Sequence, residues 1–302
     1  MRIVATGLRF PEGPVAMPDG SVVVVEIPRG TLTRIAPDGK CSVLATPGGG
    51  PNGLAMGPGG KLFVCNNGGF KWHVQDGYHR VVAQADDYSG GRIEVVDPAT
   101  GKVERLYDTC NGIPLRGPND LVMDGQGGFW FTDLGKVRAR EMDRGGIYWA
   151  KCDGSEIREA AHPVLTPNGI GLSPDGKTLY AAETEGARLW AWEIVGPGAL
   201  RKLAWPSPYG ARLVIGMGGY QRFDSLKVAA SGKVLVATLI NGGITEIEPH
   251  SGTARHHPLP DIYVTNLCFG GPERKTAFVT LSYDGRLAAV DWHEPGLRLH
   301  HQ

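Results

Sequence analysis

Short apolar runs punctuate the chain at a regular pace. SVVVVE from Ser21, KLFVCN from Lys61, GFWFTD from Gly128, KTLYAAE from Lys177, KVLVATL from Lys233 and KTAFVTL from Lys275 are rich in β-branched and aromatic residues. Each follows a turn word of the PDG or PGG kind, where Pro presets φ and Gly or Asp tolerates the turn conformation. Runs of this composition, bounded this way, predict strands. No segment holds its apolar positions at helical spacing over three turns. The pattern predicts an all-β chain.

A second, shorter word precedes each run at a fixed offset. Counting seven residues back from Asp19, Gly59, Gln126, Asp175, Ser231 and Glu273 reaches Glu12, Asn52, Asn119, Asn168, Asp224 and Asn266. The words there are EGPVAM, NGLAMG, NDLVMD, NGIGLS, DSLKVA and NLCFGG. Every one opens on a side-chain oxygen and continues small and mostly apolar. Six units in 302 residues, about 50 residues each, suit the four-stranded blade of a β-propeller. The expected architecture is a single six-bladed β-propeller domain over residues 1–302 with a central metal site. Its innermost strands would be the short words, and their first residues would ring one mouth of the central channel. MRIVATG at the start and GRLAAVDW near the end both read as strands. If they share a blade, the ring closes and no strand edge is left open.

Composition adds exclusions. The chain is 41% hydrophobic and 21% charged, a globular balance, and its 45 Gly and 22 Pro recur as punctuation rather than as one linker. Formal net charge is zero, so there is no electrostatic footprint for nucleic acid or an anionic membrane surface. No apolar run approaches the roughly 18 residues of a membrane span. MRIVATGLRFPEG lacks the apolar core of a secretion signal. Five widely spaced cysteines, an odd number, argue against a disulfide framework and point to the cytoplasm. Nothing in the pattern specifies an oligomeric state.

A closed ring makes neighbours of residues far apart in sequence. Glu12 and Asp224 would then face each other as like charges, with raised pKa values unless something compensates. A divalent cation compensates, and all-oxygen donors select hard ions. The bland alternative is that the Asx side chains cap turns at the inner strands. It fits Asn52 and Asn266 better than Glu12, because Glu is poor at this chemistry. Other constellations carry less. His256–His257 and His300–His301 lack metal-ligand spacing and read as surface residues. GGG at Gly48 lacks the strand-to-helix context of a phosphate loop, and no GxSxG elbow occurs. Cys65 and Cys268 read as small core residues.

The words FPEGP, PNDLVMD with GGFWFTD, TPNGIGLSPDGKTLYAAET, FDSLKV and VTNLCFGGPERKTAFVT resemble the SMP-30/gluconolactonase/luciferin-regenerating-enzyme family, from about residue 8 to about 290. The resemblance implies a six-bladed propeller with one divalent metal in its tunnel. It implies Glu12, Asn168 and Asp224 as metal ligands and Asn119 as a contact to metal or substrate. In a phosphotriesterase-like branch all four surround calcium. The implied cofactor is one divalent cation, Ca²⁺ first, with Mg²⁺, Mn²⁺, Zn²⁺ and Fe²⁺ as alternatives.

Two departures bear on substrate. Sugar lactonases often carry an arginine two positions before the equivalent of Asn119; here Gly117 stands there, with Arg116 one residue earlier as the expected substrate contact and only nearby cation. The stretch 66–91 lengthens the second repeat to about 67 residues, as a loop that is either a solvated excursion or a wall over the mouth. As a wall it would bring Phe70 and Trp72 to the substrate. The expected function is metal-dependent opening of a small-molecule lactone, with the metal polarising the carbonyl and activating water. Asp224 would double as general base and Asn119 would orient substrate or water. Asp120 and Asp133 are second choices, Asp120 reading rather as a tether to a neighbouring strand. The rivals are a phosphotriesterase-type hydrolase on the same metal and a ligand-binding propeller without turnover.

Overall fold

The computed structural model describes residues 1–301. Its main-chain pairing resolves into six antiparallel blades around a central channel. Blade one runs outward through Pro11–Ala16, Val22–Glu26, Thr31–Ile35 and Cys41–Ala45, and blade two through Pro51–Met56, Leu62–Asn66, Arg92–Val96 and Val103–Tyr107. Blade three comprises Pro118–Met123, Gly128–Asp133, Gly145–Lys151 and Ile157–Val164. Blade four begins Pro167–Leu172, Thr178–Glu183 and Arg188–Gly196, and the last of these pairs with both Ala199–Arg201 and Arg212–Gly216. Blade five is Arg222–Val228, Val234–Leu239, Gly243–Glu248 and Thr253–Pro258. Blade six takes Val264–Gly270, Thr276–Leu281 and Arg286–Asp291 from the end of the chain and Arg2–Ala5 from its start. The last pair is antiparallel, with Arg2 opposite Ala289, so the ring closes through both termini.

All six apolar runs form the second strand of their blade. Val22–Glu26, Gly128–Asp133 and Val234–Leu239 are buried at every position. A strand covered on both faces reads as a continuous apolar run, which is why no alternation shows in the letters. The cores lie between successive blades. Phe63 and Cys65 of blade two pack with Phe129, Phe131 and Tyr148 of blade three, and Trp130 and Trp149 pack with Trp190 and Trp192 of blade four. Among the described residues, no helix is long and apolar enough to cross a membrane.

Close to the axis the backbones nearly touch. A Cβ on Gly169 would lie 2.3 Å from Leu226 N and 2.7 Å from Asp224 O of the next blade. Gly13 has φ +51°, and a Cβ there would meet Asn52 O at 2.5 Å. Where a glycine follows the ring residue, as Gly13 and Gly169 do, it answers this close approach of neighbouring backbones.

The stretch 66–91 departs from the loop expected of it. Phe70–Gln75 and Tyr78–Gln84 pair as a β-hairpin through a turn at Asp76 and Gly77, whose φ values are 53° and 84°. Asp-Gly with positive φ at both positions is a strong two-residue hairpin signal.

Candidate functional site

Five innermost strands start with Pro or Arg, the sixth with Val264, and each then loses register with its partner. The irregularity falls between Glu12 and Val15, Pro51 and Leu54, Pro118 and Leu121, Pro167 and Ile170, and Phe223 and Leu226. Bulges re-aim side chains. Here they sit at the ring residue in five blades, and Glu12, Asn52, Asn119, Asn168 and Asp224 all line one cavity of about 380 Å³ at the channel mouth. In blade six the irregularity is shorter, between Val264 and Asn266. Asn266 accordingly stays behind the cavity wall. Its Nδ2 donates to Glu12 Oε2 at 2.7 Å and its Oδ1 accepts the Leu267 N–H at 2.8 Å. Asn52 departs from turn capping: it faces the cavity, and no side-chain hydrogen bond ties it to its turn among the described residues.

Four of these residues form a demanding electrostatic set. Burial pushes the Glu12 carboxyl up to about 7, helped by the Asp120 charge; Asn266, the Gly13 N–H and Lys227 pull the other way. Burial also holds Asp224 well above the usual carboxylate range, with the Glu12 charge adding to it and Asn168 and the Ser225 N–H opposing. Beside these carboxylates, Asn119 Oδ1 and Asn168 Oδ1 are buried without a hydrogen-bond partner. Asn168 Nδ2 donates to Thr184 Oγ1 at 3.1 Å, which fixes which amide atom is left over. Buried carbonyl oxygens without a partner are costly, and a bound cation or water would relieve them. The donor set is all oxygen, with two carboxylates, and fits a hard divalent cation.

The walls differ from expectation in detail. Phe70 lines the cavity, together with Phe10, Val81 and Tyr263. Trp72 is not brought to it; its ring backs Phe10 at 5.0 Å and Phe70 at 6.1 Å, one layer out. Arg116 is exposed and absent from the lining. Its main chain is what matters: its N–H donates to Asp133 at 2.7 Å and its carbonyl accepts the Tyr88 hydroxyl at 2.6 Å. Nor is it the only cation nearby. Arg80 of the hairpin and Arg222 of blade five both line the cavity, and Arg222 lies 3.0 Å from Glu185, another lining residue. Arg222 stands two positions before Asp224, the same offset at which Gly117 precedes Asn119. The arginine offset held the signal, read two ring residues too early. Phe10 and Thr166 occupy the same phase in blades one and four, line the cavity, and adopt left-handed φ values of 42° and 38°. Strain of this kind persists where a site over-determines the backbone.

The hairpin closes over the mouth. At its tip Tyr78 stacks on Tyr283 of blade six, centroids 4.3 Å apart and planes 4° from parallel. At its base the buried Lys136 ammonium donates to Asn67 Oδ1 and Gly69 O, each at 3.0 Å, and lies 4.0 Å from the centre of the Phe70 ring. Below the ring residues, Lys227 Nζ lies 3.4 Å from Asp120 Oδ2, a contact between blades five and three across the channel. Asp120 is thus a tether, though to a strand across the channel rather than to the neighbouring strand its sequence suggested. Asp133 accepts three main-chain N–H groups, from Arg116, Gly117 and Gly135, and holds the loop rather than facing the cavity. A separate apolar cavity of about 120 Å³ lies at the far end of the channel, and it shares no lining residue with the mouth.

A six-bladed propeller with carboxylates and amides ringing one mouth defines a class of proteins with a built-in oxygen site. This chain belongs to the SMP-30/Gluconolactonase/LRE-like family, whose model matches residues 10–283. It is 26% identical over 222 residues to a gluconolactonase of Zymomonas mobilis, covering 66% of this chain and 56% of that protein. To lactonase drp35 of Staphylococcus aureus it is 23% identical over 227 residues, covering 74% and 62%. The chain therefore spans less than two thirds of the length of these relatives. Among solved structures, a gluconolactonase from Xanthomonas campestris superposes with TM-score 0.74 at 22% identity, covering 94% of this chain and 86% of that one. The calcium-binding protein regucalcin from Agrobacterium tumefaciens gives TM-score 0.74 at 20% identity, covering 99% and 97%. These likenesses show the fold.

Proposed function

We propose that this chain is a lactone hydrolase that holds one divalent cation, calcium in the first instance, through Glu12, Asn119, Asn168 and Asp224. The observation that carries the reading is the pairing of two buried carboxylates of raised pKa with two unpartnered amide oxygens on one cavity floor. Family membership and the names of the relatives support it. When bound, the cation supplies a Lewis acid for the lactone carbonyl and lowers the pKa of water.

The chain's own residues do the rest. Asp224 accepts the proton of the attacking water on a carboxylate oxygen and returns it to the ring oxygen as the acyl–oxygen bond breaks. The Nδ2 of Asn119 donates to the substrate and orients its carbonyl. Phe10, Phe70, Val81 and Tyr263 exclude water and favour a lactone with an apolar substituent over a fully hydroxylated sugar ring. Arg80 and Arg222 offer donors to a substrate carboxylate or hydroxyl. The five cysteines are free, which suits a cytoplasmic setting. Phosphotriester hydrolysis is the second reading, favoured by the same arginines because phosphoryl oxygens need cationic donors.

The test is a direct comparison of kcat/KM on five- and six-membered lactones and aryl phosphotriesters, before and after chelation. The expected result is about 10⁴ M⁻¹s⁻¹ or more on the best lactone, abolished by chelation, with phosphotriesters about 100-fold worse. In the Glu12→Gln, Asp224→Asn double variant both activity and calcium uptake should vanish. Full metal occupancy in that variant would reject the ligand assignment. A phosphotriester matching the best lactone would reverse the ranking, and no turnover of either would favour a binding propeller.

A further inference from the structure

Away from the channel, between blade five and the segment leaving blade six, three donor atoms converge, and a fourth, from His257, stands against one of them. Ile244 pairs with His257, and side chains repeat every second residue along a strand, so Glu246 and His257 project from the same face of blade five. His293 and Glu294 follow the strand Arg286–Asp291 and turn toward that face. His257 Nε2 lies 3.4 Å from Glu246 Oε2, His293 Nε2 lies 3.1 Å from the same oxygen, and His293 Nε2 lies 3.5 Å from Glu294 Oε1. The facing atoms of Glu246, His293 and Glu294 all fall within 4.8 Å of one another.

These contacts are close but are not hydrogen bonds. Glu246 Oε2, His257 Nε2 and Glu294 Oε1 are buried and have no hydrogen-bond partner, although Glu246 is only 8% exposed. Bonds of about 2.1 Å from His nitrogen or carboxylate oxygen to a tetrahedral zinc ion place neighbouring donors about 3.4 Å apart. The Glu246–His293 and His293–Glu294 separations match that edge, and His257 meets the group at the same spacing through Glu246 alone. Two cations stand beside the cluster: Arg255, paired opposite Glu246 and acting on His257 through its charge, and Lys233, whose Nζ lies 2.8 Å from Glu246 Oε1 and 3.4 Å from Glu294 Oε1. Lys233 occupies the other oxygen of Glu246 and competes only at Glu294.

We propose that Glu246, His257, His293 and Glu294 form a second metal site, for a zinc-class ion, that clamps the C-terminal crossover to blade five. The imidazole donors set it apart from the all-oxygen floor of the channel, because nitrogen ligands suit zinc rather than calcium. The clamp has a place to act. The crossover is otherwise held by main-chain bonds, Pro295 O accepting from Ala230 and Leu297 N–H donating to Val228 O, and it leads to Leu297 and Leu299 over the apolar cavity. The proposal does not rest on the hydrolase reading.

The experiment is calorimetric titration of the metal-stripped full chain with Zn²⁺ in millimolar Ca²⁺, which saturates oxygen sites, followed by thermal melts. One zinc should bind, and at about 100 times its Kd the Tm should rise by about 5 °C. His293→Ala changes a half-exposed residue and so spares the fold; it should weaken zinc at least about tenfold. Lys233→Met should tighten it, because the competitor is gone. Co²⁺ in place of Zn²⁺ should show visible absorption of a tetrahedral site, lost in His257→Gln. Zinc affinity and melting unchanged by His293→Ala and His257→Gln, or no zinc uptake by the parent chain, would overturn the site. None of these readouts involves lactone turnover.

Discussion

Asn266 and Glu12, 254 positions apart in the chain, meet through a 2.7 Å hydrogen bond from Nδ2 to Oε2. Asn266 is the one ring residue that turned away from the cavity, and it holds the carboxylate of the next blade instead. Asn266→Ala should weaken calcium about tenfold, the cost of one hydrogen bond to a charged group. Calorimetric titration of both proteins checks it. Equal affinity would mean that Glu12 keeps its place without help.

The raised carboxyls make stability depend on pH in a defined direction. Folding lifts Glu12 from 4.5 to about 7, so the folded chain holds a proton that the unfolded chain has released. Asp224 shifts the same way. The stability they contribute is full below the ordinary carboxyl pKa and is lost as pH rises through the folded value. The chelated protein should therefore melt lower at pH 7 than at pH 5, by on the order of 5 °C. Calcium should cancel the fall, since it favours the ionised pair. A chelated Tm that climbs across this interval would contradict the assignment.

The tip of the hairpin is latched by Tyr78 on Tyr283. An aromatic pair contributes about 0.5–1.5 kcal/mol beyond its area, so Tyr78→Ala should open the lid about three- to tenfold more often. Hydrogen exchange across residues 70–84 should rise and KM should increase, with calcium affinity unmoved. Exchange at wild-type rates would show that the anchor at Lys136 suffices alone.

Arg222 offers the cavity a cation that Glu185 only partly engages. Arg222→Met should raise KM about tenfold for lactones carrying a carboxylate and leave plain alkyl lactones within about twofold. Steady-state kinetics on one matched pair decides it. Equal losses on both would make the arginine a structural partner of Glu185.

Periodicity made the fold legible. Each blade repeats turn, apolar strand and ring word, and a fixed seven-residue offset survives insertions because it lies inside one strand pair. The ring residues were therefore readable by phase alone. What escaped was whatever breaks phase. The shorter register shift in blade six, which withdraws Asn266, leaves no trace in the letters. The hairpin was marked by Asp76-Gly77, but the surrounding glycines and charges resemble a loop. Trp72 and Arg116 sit near the mouth in sequence and one layer away in space: Trp72 shares the inner face of the hairpin with Phe70 but lies further along it, against Phe10, and Arg116 stands in an exposed turn. His257 and His293 belong to different blades, so no spacing rule could join them.

The Asp120–Lys227 contact below the ring spans the channel between the mouth and the far apolar cavity, which share no lining residue. On the proposed lactonase reading, substrate enters by the mouth, and the opened acid leaves the same way before the next ring enters. A long chain cannot be threaded through and clipped midway. Only what protrudes from an end, or is small enough to enter whole, reaches the ring of oxygens by the mouth that the hairpin lines.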